Sequence, residues 1–312
     1  MRIAIIGAGF AGLSVAWHLQ KMATHEVTLF EKKGVGGGAS GIATGLIHPY
    51  AGEQGRRSIF ATEGIEATKR LIRVAEDALG ETVIFQEGIF RYVQNEEQRH
   101  MFLSHCQQFG DVEEKSENCF WIKSGMTIDC PRYLKGLWLA LAEKNVKLVL
   151  NEIEDLGSLS DFDLIVLTAG AGIKHFPEFE TLPISTLKGQ VLKCRSDQLP
   201  KASSICKGYI ALSQEPQTCF IGSTYQRGDQ SLVVQPELVK AELFPKVSFF
   251  FPGVENLQIL DCRAGFRVTR IGHYLPIATR IKDHIWALTA LGSRGLLYHA
   301  YFGEKLVCDI LT

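Results

Sequence analysis

Gly7-Ala8-Gly9-Phe10-Ala11-Gly12 has the spacing of a phosphate-binding turn, placed between an apolar run and a helical pattern. Gly7 permits the turn, Gly9 lets backbone approach a pyrophosphate, and Gly12 lets helix and strand pack closely. The helix N-terminus, with Phe10 and Ala11 in its first turn, offers N–H groups and a positive dipole end to phosphates. Val27 to Phe30 reads as a second strand ending in Glu31, roughly twenty residues on, where an acid holds a ribose hydroxyl pair. The chemistry is that of a bound redox dinucleotide, and the motif alone leaves NAD and FAD both open. Later stretches offer the same kind of close backbone approach. Gly34 to Pro49 is glycine-rich yet keeps Ile42, Leu46 and Ile47, as a loop laid against a flat ligand would, with Ser40 available to a phosphate. Thr168-Ala169-Gly170 ends a strand pattern, and Gly292-Ser293-Arg294-Gly295-Leu296 opens the last helix.

The elements that position these groups follow from periodicity. Met1 to Ile6, Val27 to Phe30, Val146 to Leu150, Asp163 to Leu167 and His284 to Leu288 read as strands of a parallel sheet buried on both faces. Helices are expected after Gly9, from Glu53 to Leu79 closing at Gly80, from Glu96 to Gln108, from Cys130 towards Lys144, and after Gly295. Thr82 to Phe85, Gly88 to Val93 and Phe120 to Ile122 read as short strands. Between 176 and 261 short strands dominate: Ser185 to Lys193, Gly208 to Leu212, Cys219 to Gly222 and Leu257 to Leu260, interrupted by a helix from about Pro236 to Phe244. That texture predicts an antiparallel sheet forming a second domain. The expected division is a nucleotide domain of 1–80, 130–175 and 262–312, with a substrate domain of 81–129 and 176–261 inserted.

Composition narrows the class. The chain has 312 residues, 46% hydrophobic and 21% charged, and a formal net charge of −1, which argues against a uniformly nucleic-acid-binding surface. No apolar run reaches the length of a membrane span. The apolar start lacks a small-residue cleavage site and is not expected to be a signal peptide. The eight cysteines form no CxxC pair and have no zinc-ligand spacing, so reduced thiols, a cytoplasmic location and no metal are expected.

Taken together, GAGFAG with Glu31, the Ala39-Ser40-Gly41 segment, Leu167 to Gly172 and the C-terminal glycine turn resemble the D-amino-acid-oxidase-like group of FAD-dependent oxidoreductases, over essentially the whole chain. The resemblance implies a GR2-type, Rossmann-like α/β fold and FAD as cofactor. It also assigns Lys32 and Ile153 to the cofactor. Asp261 to Arg267 is similar to the strand on which amino-acid oxidases hold a substrate carboxylate, which makes Arg267 the anchor, with Arg263 and Arg270 as competitors. Within the group, Gly292 to Leu296, Gly45 with His48-Pro49, Lys188 to Val191, Gly208 to Ile210 and Gly222 to Tyr225 resemble the oxidase domain of the MnmC family of bifunctional tRNA-modification proteins. That match implies Gly45 and His48 near the flavin ring, and Gly292 to Gly295 at its pyrimidine side. Ile42 and Thr44 stand where that family's loop carries asparagine and glutamine. The methyltransferase half has no counterpart in these residues.

The reaction implied is oxidation of a C–N bond beside a carboxylate. Arg267 would orient the substrate, His48 would gate it or accept a proton, and Tyr209 and Tyr225 would border it. Arg294 or the following helix N-terminus would stabilise reduced flavin. Three alternatives stand at this point: action on carboxymethylaminomethyl-uridine of tRNA, oxidation of free glycine, sarcosine or D-amino acids, and a non-catalytic flavin-binding protein. The first predicts a basic pocket rim, for which Lys188, Lys193, Arg195, Lys201 and Lys207 are the candidates.

Overall fold

The computed structural model describes residues 1–228 and 231–312. Sixteen strands and six helices follow one another among these residues. They run β1 (Arg2–Ile6), α1 (Phe10–Met22), β2 (Glu26–Glu31), β3 (Leu46–Ile47), α2 (Ala61–Leu79), β4 (Ile84–Tyr92), α3 (Glu96–Gln108), β5 (Val112–Ser116), β6 (Cys119–Ile128), α4 (Cys130–Ala142), β7 (Lys147–Leu150) and β8 (Leu164–Leu167). The second half holds β9 (Ile184–Arg195), β10 (Ser204–Ile205), β11 (Tyr209–Leu212), β12 (Thr218–Gly222), β13 (Gln226–Arg227), α5 (Pro236–Ser248), β14 (Gln258–Arg270), β15 (Ile277–Lys282), β16 (Ile285–Thr289) and α6 (Gly295–Leu311).

Two sheets organise them. The first has six strands in the order β15-β16-β8-β1-β2-β7, parallel except for β15 against β16. β1 at its centre is apolar throughout because both faces are covered. Ile3 and Ile5 join the core beneath α1, α2, α4 and α6, while Ala4 and Ile6 join a second cluster with Leu156, Ile173 and Phe176. The strands therefore read as continuous apolar runs rather than alternations. The second sheet has ten strands, α5 packing on one part of it and α3 on another. It is mixed rather than purely antiparallel, since β10 runs parallel to β4.

Several expectations are corrected. The helix expected from Glu53 starts only at Ala61, and Phe60 before it has φ of 57°. Residues 51–60 instead form a loop whose carbonyls are held by side chains, as described below. The two short strands at 82–85 and 88–93 are one strand with bulges, and Phe120 to Ile122 lies inside the ten-residue β6. β14 does not stop at Leu260: it pairs with β9 along its length to Arg270, so the boundary expected at 261/262 falls inside a strand. β3, expected in the nucleotide domain, pairs with β6 of the second sheet.

Two histidines are interred in the helical layer. His18 on α1 is 3% exposed, and His299 on α6 is 0% exposed, bonded between Tyr133 Oη at 2.7 Å and Gly295 O at 3.0 Å. Burial pushes both imidazoles down to about 4. The unfolded chain takes up protons near pH 6.5 that the folded chain refuses, so stability is complete above that pH and falls as pH drops towards 4. At pH 5 the loss is roughly 2 kcal/mol for each histidine. Urea unfolding midpoints measured from pH 7.5 to 5 should fall accordingly, less steeply in His18→Gln; a parallel slope in that variant contradicts the assignment.

Candidate active site

The β1–α1 turn is built of backbone packed on backbone. Gly7 has φ of 104°, a left-handed conformation, which side chains resist. A methyl on Gly12 would overlap the carbonyl of Gly7 and stand 2.8 Å from Thr168 Oγ1. Thr168 Oγ1 in turn donates to Ile6 O at 2.8 Å, locking the end of β8 against the turn. Glu31 at the end of β2 accepts from Ala8 N at 2.9 Å and Lys33 N at 3.1 Å. Ser40 Oγ accepts from Phe10 N at 3.1 Å, and a methyl on Gly9 would come within 2.7 Å of that hydroxyl.

From this turn a cavity of about 1210 Å³ extends between the two sheets. The N-termini of α1 and α6 both open onto it, neither capped by its own N-cap side chain. Gly9, Phe10, Ala11, Ser40, Thr168 and Gly170 line it, as do Gly292, Ser293, Arg294, Gly295 and Leu296, with Gly45, His48, Tyr209, Tyr225 and Arg267. Gly7, Gly12, Glu31 and Ala169 lie behind the wall rather than on it. Lys32 lies away from it in an exposed pair with Glu152 at 2.6 Å, and Ile153 packs against the second core cluster.

Arg267 is placed by three neighbours. Its Nη2 donates to Ser223 Oγ at 2.8 Å and its Nη1 to Thr224 O at 3.4 Å, while its Cζ lies 4.9 Å from the Tyr225 ring centroid. Beneath it is Gly189, where an added methyl would meet the guanidinium carbon at 2.6 Å. The competing arginines stand elsewhere: Arg263 pairs with Asp261 at 2.7 Å in a separate cavity of about 470 Å³, and Arg270 is exposed outside both. Ile42, packed on Gly265, belongs to the partition between the two cavities.

Electrostatically the cavity is one-sided. Arg56, Arg57, Arg91, Lys207, Lys246, Arg267 and Arg294 line it against a single lining acid, Glu53, with Arg57 paired to Asp111 at 3.3 Å and Lys246 to Glu242 at 2.7 Å from outside the lining. Among the described residues no carboxylate forms an ion pair with Arg91, Arg267 or Arg294. Arg91 is 2% exposed; Nη2 donates to Glu53 O at 2.6 Å, Nη1 to Gly52 O at 3.3 Å, and Nε has no partner. Burial, with Arg91 and Arg294 alongside, pushes His48 down to about 3, and its Nδ1 is buried without a partner. His48 is therefore neutral at ordinary pH and holds protons poorly. Burial raises the Tyr209 phenol, so it too stays uncharged.

The rim differs from expectation. Lys188 is buried, its Nζ donating to Val233 O at 2.7 Å; Lys193 and Arg195 pair with Glu215 at 2.5 and 3.5 Å. Of the five candidates only Lys207 lines the cavity; Lys193 lines the separate smaller one. Arg56 supplies further exposed charge, and Lys246 lines the cavity paired with Glu242 at 2.7 Å. Arg91 was not singled out from the sequence, although it falls between buried Ile89 on β4 and buried Val93 just after it.

The FAD dependent oxidoreductase family DAO matches residues 2–309. Among curated proteins, the bifunctional tRNA 5-methylaminomethyl-2-thiouridine biosynthesis protein MnmC of Maricaulis maris is 26% identical, across 99% of this chain and 52% of that protein. MnmC of Acinetobacter baylyi is 24% identical, with the same coverage. The chain spans about half the length of these curated relatives. Among solved structures, glycine oxidase from Geobacillus kaustophilus matches with a TM-score of 0.81 at 19% identity, covering 99% of this chain and 94% of that one. Iminodiacetate oxidase from Chelativorans sp. BNC1 matches with a TM-score of 0.81 at 18% identity, covering 99% and 95%. Among the described residues no group of three His, Cys, Asp or Glu could hold a metal, and no helix is long and apolar enough to cross a membrane.

The cavity fits FAD: the N-termini of α1 and α6 both open onto it, glycines at the β1–α1 turn leave backbone amides accessible, and His48, whose Nδ1 has no partner among the described residues, lines it. Gly9→Val should drive methyl groups into Ser40 Oγ and the phosphate approach, raising the FAD dissociation constant more than tenfold, above about 1.4 kcal/mol. Flavin absorbance per protein after reconstitution checks this, and a fully loaded variant refutes it.

Proposed function

The chain belongs to the DAO family of FAD-dependent oxidoreductases, and on that premise we propose that it oxidises the C–N bond of a carboxymethyl-amine, acting as an MnmC-like oxidase on carboxymethylaminomethyl-uridine of tRNA. The observation that carries this is Arg267, a guanidinium seated on Gly189 with no carboxylate partner among the described residues, inside a cavity lined by seven cationic side chains and one acid. A guanidinium fork matches a carboxylate bidentately. The exposed rim charges Arg56 and Lys207 suit a polyanion rather than a small neutral amine.

FAD, held at the β1–α1 turn by Gly9, the Phe10 and Ala11 backbone and Ser40, would supply the two-electron acceptor for the carbon between nitrogen and carboxylate. The neutral amine loses its proton as the imine forms, and water then splits the imine into glyoxylate and the shortened amine. The chain's own work is placement and potential. Arg267 fixes the carboxylate and thereby the reacting carbon. Arg91, Arg267 and Arg294 disfavour an ammonium in the cavity, so the amine enters in the neutral form that oxidation needs. Arg294 and the α6 N-terminus put positive potential where charge accumulates.

Anaerobic flavin bleaching tests the reading, with hypomodified tRNA set beside glycine, sarcosine and D-amino acids. Rapid bleaching by the tRNA is expected. Bleaching by free amino acids alone transfers the assignment to a free-amine oxidase, and no bleaching by any of them leaves a flavin-binding protein. Arg267→Ala should retain FAD and raise KM on the order of a hundredfold, the value of a charged hydrogen-bonded pair; an unchanged KM removes Arg267 from the site. Because His48 is held down near 3, the acid limb of kcat/KM between pH 5 and 9 should follow the substrate amine and persist in His48→Gln. Its disappearance in that variant would return a proton-accepting role to His48.

A further inference from the structure

Two tyrosines that line the cavity are exposed: Tyr225 at 58% and Tyr274 at 77%, the latter in a turn exposed from Ile271 onward. Each lies over a cavity arginine that has no carboxylate partner among the described residues. Tyr225 covers Arg267 at 4.9 Å, and Tyr274 covers Arg294 at 4.5 Å. The two pairs are supported independently. Tyr225 follows β12, whereas Tyr274 sits in the turn between β14 and β15, tied to the α6 end by the bridge of Thr269 with Leu291. A lone exposed tyrosine needs no explanation, but two aromatic rings backed by unpaired guanidinium groups at one opening form a recognisable arrangement. A ring polarised by a cation on one face leaves the other face in solvent, ready to stack on a planar group. The rim charges beside them, Arg56 and Lys207, have the sign that a phosphate backbone requires.

We propose that Tyr274 is a specificity-determining residue: it stacks on a nucleobase of a single-stranded RNA loop and selects an RNA-borne amine over a free one. The inference rests on the tRNA reading above and adds the element that recognises the base. Tyr225 lies over Arg267, the proposed substrate anchor, whereas Tyr274 lies over Arg294 and is the more exposed of the two, free to meet a base attached to or beside the reacting group. Unstacked bases of single-stranded loops are recognised by aromatic faces in this way, with a stacking contribution of about 1–3 kcal/mol per base.

The test uses the FAD-loaded enzyme and its Tyr274→Ala and Tyr274→Phe variants. Each is assayed with hypomodified tRNA and with sarcosine, and tRNA affinity is also read by fluorescence anisotropy. Tyr274→Ala should raise KM and the dissociation constant for tRNA about tenfold, so that the ratio of kcat/KM for tRNA to that for sarcosine drops by the same factor. Tyr274→Phe, which keeps the ring, should restore both to within about twofold. Equal tRNA affinity in Tyr274→Ala, or an equal loss for both substrates, overturns the inference: the first leaves the ring without a role, and the second makes it part of the cavity wall. Failure of the phenylalanine variant to rescue also overturns it, because the hydroxyl would then be the group that matters. If the parent enzyme neither binds nor oxidises tRNA, the tRNA reading itself falls and this inference with it. That outcome is distinct from a parent that works and a variant that matches it.

Discussion

A helix N-terminus can hold a pyrophosphate only if backbone, and nothing else, meets it. At the β1–α1 turn this constraint dictates the surroundings. Gly12 packs against the carbonyl of Gly7, Thr168 closes the turn from β8, and Glu31 binds Ala8 N from β2. Three adjacent strands of the first sheet therefore end at one point because each sends one polar group into the same turn. The parallel order β8-β1-β2 at the centre of the sheet is the arrangement that brings those ends together. Ser40 comes from a separate loop, and its hydroxyl satisfies the Phe10 amide, which is one of the donors the helix leaves unpaired.

A second constraint acts elsewhere on the cavity wall, where cations are withdrawn from water without acids to pair with them. Burying an unpaired guanidinium is costly unless other acceptors reach it. The loop from Ala51 to Phe60 supplies several of those acceptors as backbone carbonyls. Arg91 binds Gly52 and Glu53, and Arg294 reaches Ala51 O at 3.4 Å; Gln98, His105 and Tyr298 bind the carbonyls of Glu53, Gly55 and Ile59. This is why the apolar spacing beginning at Glu53 does not continue as helix there: its carbonyls are engaged by side chains from β4, α3 and α6. The same bonds span both sheets, so the loop fastens one to the other across the cavity.

Local signals and long-range ones separate cleanly in this chain. The β1–α1 turn, the glycine turn before α6 and the helices α1, α3 and α4 were legible because the residues that define them are contiguous. Arg267 was singled out only through resemblance, since Gly189, Ser223 and Thr224, which seat it, lie on other strands or the loop after β12. The basic rim was misplaced for a related reason. A cluster of lysines in sequence is divided by strand alternation and by partners such as Glu215, so charges on β9 do not share one surface. Strand length in the second sheet was underestimated at the strand ends, above all in β14, which runs on past Leu260 to Arg270 along β9, while Gly265, Gly189 and Gly222 lie within their strands or at a strand end. These glycines are positions where a neighbouring side chain lies flat on the strand.

That use of glycine connects sheet geometry to chemistry. Gly265 and Gly189 are opposite each other in the β9–β14 pairing; one accepts Ile42 and the other the Arg267 guanidinium. Glycine inside a strand costs conformational entropy and packs nothing itself, so placing two in register at a buried strand pair is unfavourable for the sheet alone. The gain lies in where Arg267 ends up. With a side chain at 189 the guanidinium would be lifted away from Ser223 Oγ and Thr224 O, and a charge so displaced would lose the acceptors that offset its desolvation. The position of the Arg267 guanidinium is thus specified as much by the residue missing beneath it as by the arginine itself, and Ile42 on the neighbouring glycine stands in the partition between its cavity and the one that Arg263 lines.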